Sequence, residues 1–155
     1  MLVITPETEN YKSIFLAGTI DNGDSIDWQK KLIEKFKDID IKIYNPRREH
    51  WDKKASKEEL EYQIKWEQEH LDNADLIVMV LSDNSKSPIS LLELGLYATS
   101  KKILVFCTDK FYRFDNVRLT CEKYDIPLFT NTNINYIFNK IIEKINNDEE
   151  PKEFC

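Results

Sequence analysis

Apolar runs alternate with segments of helical periodicity along most of the chain. Five of these runs are short and nearly continuous, as strands buried on both faces are, and they predict strands over 13–18, 41–44, 75–81, 102–106 and 127–129. Between them, apolar residues recur at helical spacing. Strands that alternate with helices form parallel sheets covered on both faces. We therefore predict an α/β fold: a five-stranded, parallel, doubly wound three-layer sandwich of the flavodoxin or Rossmann-like type.

Polar residues mark the starts of two predicted helices. Ser25 precedes a helix that carries Trp28 and Leu32 on one face, and Ser87 stands directly before Pro88. A serine hydroxyl caps exposed backbone N–H groups, and proline favours the first helical position. We predict that both serines are helix caps.

Composition and charge narrow the class of protein. The chain has 155 residues, 41% hydrophobic and 32% charged, a balance typical of one globular domain, which we place at 1–145 with a polar, flexible tail at 146–155. The net charge of −6 argues against a nucleic-acid surface, which needs a basic face. No leader is visible and no apolar run approaches the ~20 residues of a membrane span, so we expect a cytoplasmic protein without a membrane partner.

Cysteine and histidine offer little chemistry. The three cysteines lie far apart, and the two histidines do not share a metal-ligand spacing with them or with each other. We expect thiols in a reducing compartment, no metal and no cofactor.

One glutamate stands out on an apolar helix. The segment 89–98 is apolar nearly all round a helical wheel, and Glu93 is its only charged residue. A buried carboxylate costs several kcal/mol unless it is partnered, so the position suggests a functional group. A purely structural cap or ion pair explains the pattern equally well from periodicity alone.

A second carboxylate shows the same pattern on the preceding helix, predicted over 56–73. Leu60, Ile64 and Leu71 form its apolar stripe, and Glu67 falls on that stripe. If the helix is rotated by one position, Glu67 is exposed instead. Two inward carboxylates from neighbouring helices suit cleavage of a glycosidic bond, in which one attacks the anomeric carbon and the other orients it or moves protons.

Several motifs, in this order and spacing, resemble the nucleoside 2-deoxyribosyltransferase family and its nucleoside deoxyribosyltransferase-like branch. They are FLAGTI at 15–20, NPRR at 45–48 with Trp51, WE at 66–67 with HL at 70–71 and AD at 74–75, SPISLLELG at 87–95, and FYR at 111–113 with NV at 116–117. The resemblance implies that Glu93 is the nucleophile, ionised and favoured by the helix start. It also makes Glu67 the second acid, where many members have Asp.

The resemblance extends to candidate binding residues. It implies a sugar- and base-binding loop after the first strand, and a serine that contacts phosphate in related nucleotide hydrolases, which is Ser87 here. Asn116 corresponds to an amide lent to a neighbouring subunit. Arg47 is either a substrate contact or a surface cation. With the motif's asparagine, the candidate binding set is Gly18, Thr19, Ile20, Asp21, Asn45, Arg47, Ser87 and Asn116.

We therefore expect an enzyme that cleaves the N-glycosidic bond of a nucleoside or deoxynucleoside through a glycosyl-Glu93 intermediate and passes the sugar to an acceptor base. One alternative is an N-glycoside hydrolase acting on nucleosides, nucleotides or NAD-like molecules, as a defence or toxin effector. The other is a nucleotide-sensing module without turnover. The resemblance also implies a homo-oligomer, at least a dimer.

Overall fold

A computed structural model of the protein describes residues 13–20, 25–47 and 56–149. These ranges contain five strands: β1 (Ser13–Gly18), β2 (Lys42–Tyr44), β3 (Leu76–Leu81), β4 (Ile103–Cys107) and β5 (Leu128–Phe129). They also contain five helices: α1 (Trp28–Lys35), α2 (Lys57–Asn73), α3 (Pro88–Tyr97), α4 (Phe114–Tyr124) and α5 (Ile134–Glu149). Each predicted strand is present, with ends shifted by one residue at most.

The five strands form one parallel sheet in the order β2-β1-β3-β4-β5. The predicted α/β fold class is confirmed. Connections run outward from β1 to β2 on one side and from β3 to β5 on the other, so the strand order switches between β1 and β3. Ligands of such sheets bind beyond the carboxyl ends of the strands at this switch.

Helices cover both faces of the sheet. Alternate residues of β1 enter opposite cores: Ile14 and Leu16 pack with α1 and α5, whereas Phe15 and Ala17 pack with α2, α3 and α4. All six residues of β1 and of β3 are buried, which explains their nearly continuous apolar sequence. The helices α2 and α3 therefore lie on the same side of the sheet.

The first helix begins differently from the prediction. Its cap is Asp27, whose carboxylate accepts a hydrogen bond from the Lys30 amide at 3.0 Å. The Ser25 hydroxyl donates instead to the Ile20 carbonyl at 2.8 Å, inside the loop that follows β1. The predicted cap at Ser25 was wrong because aspartate and serine are comparable caps, and the structure uses the later one. Ser56 caps α2.

The inward face of α2 also differs from the predicted stripe. Leu60 and Ile64 are 56% and 43% exposed, and of the three predicted stripe residues only Leu71 is buried. Trp66 packs against the core cluster, and Gln63, Glu67 and His70 are half-buried beside it. The helix is rotated relative to the prediction, yet Glu67 still lies on its inward side.

The last helix is longer than predicted, and two cysteines lie in the core. Helix α5 continues past the predicted boundary at residue 145 to Glu149. Cys107 and Cys121 are buried free thiols. Within the described ranges, none of the helices combines the length and apolar character that crossing a bilayer requires.

The backbone conformation at the end of β1 requires a glycine at position 18. Its φ is +129°, and an added Cβ would lie 2.7 Å from the Val80 amide nitrogen and closer still to its carbonyl oxygen. We predict that Gly18→Ala lowers the free energy of unfolding by about 2–4 kcal/mol, measured by urea denaturation. Gly95→Ala is the matched control, because a Cβ there meets no atom within 4 Å. This control should be neutral or stabilising by about 0.5–1 kcal/mol. Equal losses in the two variants would contradict this account of Gly18.

Candidate active site

The loops that follow β1 and β3 meet at the switch in strand order. Gly18 pairs with Val80 in the sheet, and the Thr19 amide donates to the Val80 carbonyl at 2.9 Å. The chain after β1 therefore runs directly beside the chain that leads from β3 to α3. Residues from these two loops are brought together as the topology predicts.

Three buried hydroxyls join the two loops. Thr19 Oγ1 lies 2.9 Å from Ser87 Oγ, and Ser85 Oγ lies 2.7 Å from Ser87 Oγ. The Ser82 amide donates to Thr19 Oγ1 at 3.0 Å. All three side chains are at most 6% exposed. Ser87 thus lies in the middle of a hydroxyl cluster made of Thr19, Ser85 and Ser87.

Ser87 does not cap α3 through its side chain. It occupies the cap position with a left-handed backbone (φ 44°, ψ 53°), but its hydroxyl makes no capping hydrogen bond. The predicted capping role was wrong, because the hydroxyl is used by Thr19 and Ser85 instead. Left-handed geometry is costly for a residue other than glycine, so the surrounding contacts must hold it in place. Pro88 then begins the helix at the predicted position.

Glu93 lies in the second turn of α3 with its carboxyl largely removed from water. Burial, and after it the nearby negative charge of Glu67, together raise the pKa of Glu93 from the ordinary 4.5 to about 8. The expectation of an ionised Glu93 is therefore wrong for the free protein at neutral pH. Desolvation and a like charge outweigh the helix dipole, whose effect is at most ~2 kcal/mol.

Glu67 is positioned from α2 by a neighbour on the same helix. Gln63 Nε2 donates to Glu67 Oε1 at 3.0 Å and to the Pro46 carbonyl at 3.3 Å. One amide therefore links the second carboxylate to the loop after β2. The sequence did not single out Gln63 for this contact.

Arg47 and Asn45 stabilise the loops around the site. Asn45 Oδ1 accepts from the Arg47 amide at 3.0 Å. The Arg47 guanidinium donates to the Ser25 hydroxyl and carbonyl and to the Ile26 carbonyl, and its Nε lies 3.8 Å from Asp27. Its side chain is 6% exposed. These contacts make Arg47 a brace between the loops after β1 and β2, rather than a surface cation.

Three aromatic rings lie beside Glu67 on the inward side of α2. The sequence did not assign them to the site. Trp66 and His70 stack with ring centroids 4.3 Å apart, and Tyr44 meets the His70 ring at 4.6 Å. His70 Nδ1 lies 2.7 Å from the Trp66 carbonyl. The signal for Trp66 and His70 was their own separation of about one helical turn, with Glu67 between them in the WE…HL motif.

Three further candidate binding residues are Asn116, Asp21 and Ile20. Asn116 is exposed on α4 and lines a cleft of about 320 Å³ between α3 and α4, together with Gly95, Tyr112 and Arg113. Asp21 lies outside the described residues. Ile20 is half-buried, and its carbonyl accepts from Ser25.

A cavity of about 640 Å³ opens at the carboxyl edge of the sheet. Thr19, Ser82 and Ser85 line it, with Trp28 of α1 and Asn133 before α5. Glu67 and Glu93 are not among its lining residues, because they lie on the α2 and α3 side of the sheet. The hydroxyl cluster borders this cavity and begins the helix that carries Glu93. Among the described side chains, no three from His, Cys, Asp and Glu are grouped as a metal site requires.

The architecture is that of an α/β protein with a pair of acids beside the switch in strand order. Residues 11–111, more than half of the chain, match the family model described as "Nucleoside 2-deoxyribosyltransferase like". The chain belongs to this family, and the resemblance inferred from its motifs is confirmed.

Two solved structures are similar in fold. The solution structure of BlsM has a TM-score of 0.62 at 18% identity, over 96% of this chain and 100% of that one. A conserved protein from Enterococcus faecalis V583 has a TM-score of 0.55 at 16% identity, over 89% of this chain and 99% of that one. No curated protein matches the chain.

The raised pKa of Glu93 predicts a pH-dependent stability. The folded protein binds the carboxyl proton of Glu93 more tightly than the unfolded chain does. This proton therefore stabilises the fold fully below pH 4.5, and the stabilisation is lost as the pH rises through about 8. We predict that Glu93→Gln, which stays neutral, matches wild type at pH 5 and is more stable by about 2–4 kcal/mol at pH 9, in urea denaturation. Glu69→Gln, an exposed acid on α2, should show no such change. A difference that is the same at both pH values would contradict the burial of this carboxyl.

Proposed function

We propose that this protein cleaves the N-glycosidic bond of a nucleoside or deoxynucleoside and transfers the sugar to an acceptor base. The observation that carries the proposal is the desolvated carboxyl of Glu93 beside Glu67. Membership of the nucleoside 2-deoxyribosyltransferase-like family supports a nucleoside as the substrate. Perturbed acids close to a ligand-binding edge are typical of catalytic pairs.

In the proposed first step, the Glu93 carboxylate attacks C1′ of the sugar. The C1′–N bond breaks, and its electron pair leaves with the base, which needs a proton to depart as a neutral molecule. The resting pair of acids holds such a proton, because the pKa of Glu93 is raised. We assign Glu67 to receive that proton from Glu93 and to pass it to the leaving base.

In the proposed second step, a nitrogen of the acceptor base attacks C1′ of the glycosyl-Glu93 ester. The ester C–O bond breaks, Glu93 is regenerated as a carboxylate, and the incoming base loses its proton to Glu67. Water in place of the acceptor completes hydrolysis by the same route. Thr19, Ser85 and Ser87 supply hydroxyls for the sugar or its 5′ substituent, and Asn45 and Arg47 hold the loop that faces it.

We predict that Glu93→Ala lowers base release by about a thousandfold or more, because the nucleophile is removed. Glu67→Gln should lower base release by about a hundredfold, since it keeps the shape of the side chain but cannot carry a proton. The measurement is chromatography of free bases after incubation with a panel of nucleosides and 5′-nucleotides. Each reaction is run with and without an acceptor base, so that exchange of bases separates transfer from hydrolysis.

Glu69→Gln, on the exposed side of α2, is the control and should keep full activity. Activity of Glu93→Ala within about tenfold of wild type would exclude the nucleophile assignment. An uncleaved nucleoside bound tightly by the wild-type protein, with no base released, would favour the sensing module instead.

We further infer that the protein forms a homo-oligomer, at least a dimer. The outer side of α3 carries Ile89, Leu92 and Leu96, which are 58%, 57% and 60% exposed and recur at helical spacing. A continuous apolar stripe of this kind is typical of an interface, whereas single exposed apolar residues are ordinary. Asn116, which lines the cleft between α3 and α4, is the residue that we infer is lent to a neighbouring subunit.

We predict that the wild-type protein sediments as a dimer or larger species at micromolar concentration. Leu92→Glu should shift it to the monomer, because the substitution places a charge in the centre of the stripe in a chain that is already acidic. Leu60→Glu on α2, an equally exposed leucine, is the matched control and should leave the mass unchanged. A fully active wild-type monomer in sedimentation or light scattering would refute the inference.

A further inference from the structure

A polar cluster outside the candidate active site joins the ends of α2 and α3. The Tyr97 hydroxyl, on the last residue of α3, donates to the Asp72 carboxylate in the last turn of α2. It also lies 3.5 Å from the Gln68 carbonyl. Neither the proposed chemistry nor the substrate loops use these residues.

Lys102, the residue directly before β4, completes the cluster. Its ammonium donates to the carbonyls of Leu71, Asp72 and Ala74 at 2.6, 3.0 and 2.9 Å, which satisfies the free carbonyls at the end of α2. The same ammonium lies 5.6 Å from the centre of the Tyr97 ring. The end of α2 is therefore held by a cation that also packs against the tyrosine of α3.

The position of this contact relates it to the pair of acids. Tyr97 follows Glu93 by one helical turn and lies on the same side of α3, and Asp72 follows Glu67 on α2. The Tyr97–Asp72 hydrogen bond therefore joins the two helices about one turn beyond the pair of acids. The charge of Glu93 acts on the Tyr97 hydroxyl across this distance.

The hydroxyl keeps its proton throughout the working range of pH. Burial raises the pKa of Tyr97, and its hydrogen bond to Asp72 and the charges of Asp72 and Glu93 raise the pKa further. Tyr97 is therefore a constant donor to Asp72.

We propose that Tyr97 is a positioning residue, which ties α3 to α2 through Asp72 and so sets the distance at which the Glu93 and Glu67 carboxyls interact. Its effect on turnover rests on the proposed function, but its effect on the two carboxyls does not. The two effects are measured separately.

Tyr97→Phe tests the proposal, since it keeps the ring and its contact with Lys102 and removes only the hydroxyl. With the tether lost, the acids separate and Glu93 gains water, and both changes lower its pKa. In the protein labelled with ¹³C at glutamate carboxyls, we expect the NMR titration midpoint of Glu93 to fall by about half a pH unit or more. Base release should fall severalfold in kcat, with KM changed by less than about twofold.

Tyr62→Phe is the matched control, because Tyr62 is 70% exposed on α2. In this variant the Glu93 titration midpoint and kcat should equal those of wild type. Asp72→Asn keeps an acceptor for the hydroxyl and should lie closer to wild type than Asp72→Ala. A lower unfolding temperature in Tyr97→Phe, with the Glu93 midpoint and kcat unchanged, would show a purely structural role and overturn the proposal. A shifted midpoint in a protein that releases no base would sustain the positioning role and reject the proposed function.

Discussion

The burial of the Glu93 carboxyl beside a second acid is the constraint on which the site depends. A carboxylate removed from water costs several kcal/mol unless partners compensate, and the like charge of Glu67 adds to the cost rather than reducing it. Leu94, the residue after Glu93, is buried in the core and fixes this part of α3 against the sheet. Gln63 donates to Glu67 from the same helix and satisfies one of its oxygens. The two acids are therefore held close, and the raised pKa of Glu93 favours its protonated form in the resting protein.

That charge state suits the chemistry proposed for the pair. As a glycosidic bond breaks, C1′ acquires positive charge, which stabilises a carboxylate beside it and lowers the pKa of Glu93 at the moment it must attack. A permanently exposed, ionised glutamate would be strongly hydrated and would have to lose that water first. An acid with a raised pKa instead yields its proton when the substrate supplies the opposite charge, and the leaving base requires a proton at the same step. The proton held by Glu93 at rest and the positive charge that develops at C1′ therefore act in the same proposed step.

The sequence predicted the fold and both acids, but it did not predict how the neighbouring side chains are used. The positions of the strands follow from buried apolar runs such as that of β3, because local pattern and burial agree there. The predicted inward face of α2 was wrong, because the inward side carries Gln63, Glu67 and His70 rather than Leu60 and Ile64. A site-lining helix breaks the amphipathic rule on which the prediction relied. Ser25 and Ser87 were predicted as caps because the local sequence shows which residues can cap a helix. Their actual partners depend on loop geometry, which the local sequence does not show. Those partners are the Ile20 carbonyl for Ser25 and the Thr19 and Ser85 hydroxyls for Ser87.

Helix α3 is held at both of its ends, and Glu93 lies between them. At the start, Ser87 keeps a left-handed backbone while its hydroxyl is bonded to Thr19 of the β1 loop. At the end, Tyr97 is bonded to Asp72 of α2. A helix fixed at only one end can pivot, and a small pivot moves a side chain in the middle by an amount that matters for attack, since a misplacement of about 1 Å can cost a hundredfold in rate. One attachment is to the loop proposed to hold the sugar, and the other is to the helix that carries the second acid. Together they orient the Glu93 carboxyl relative to both of its proposed partners.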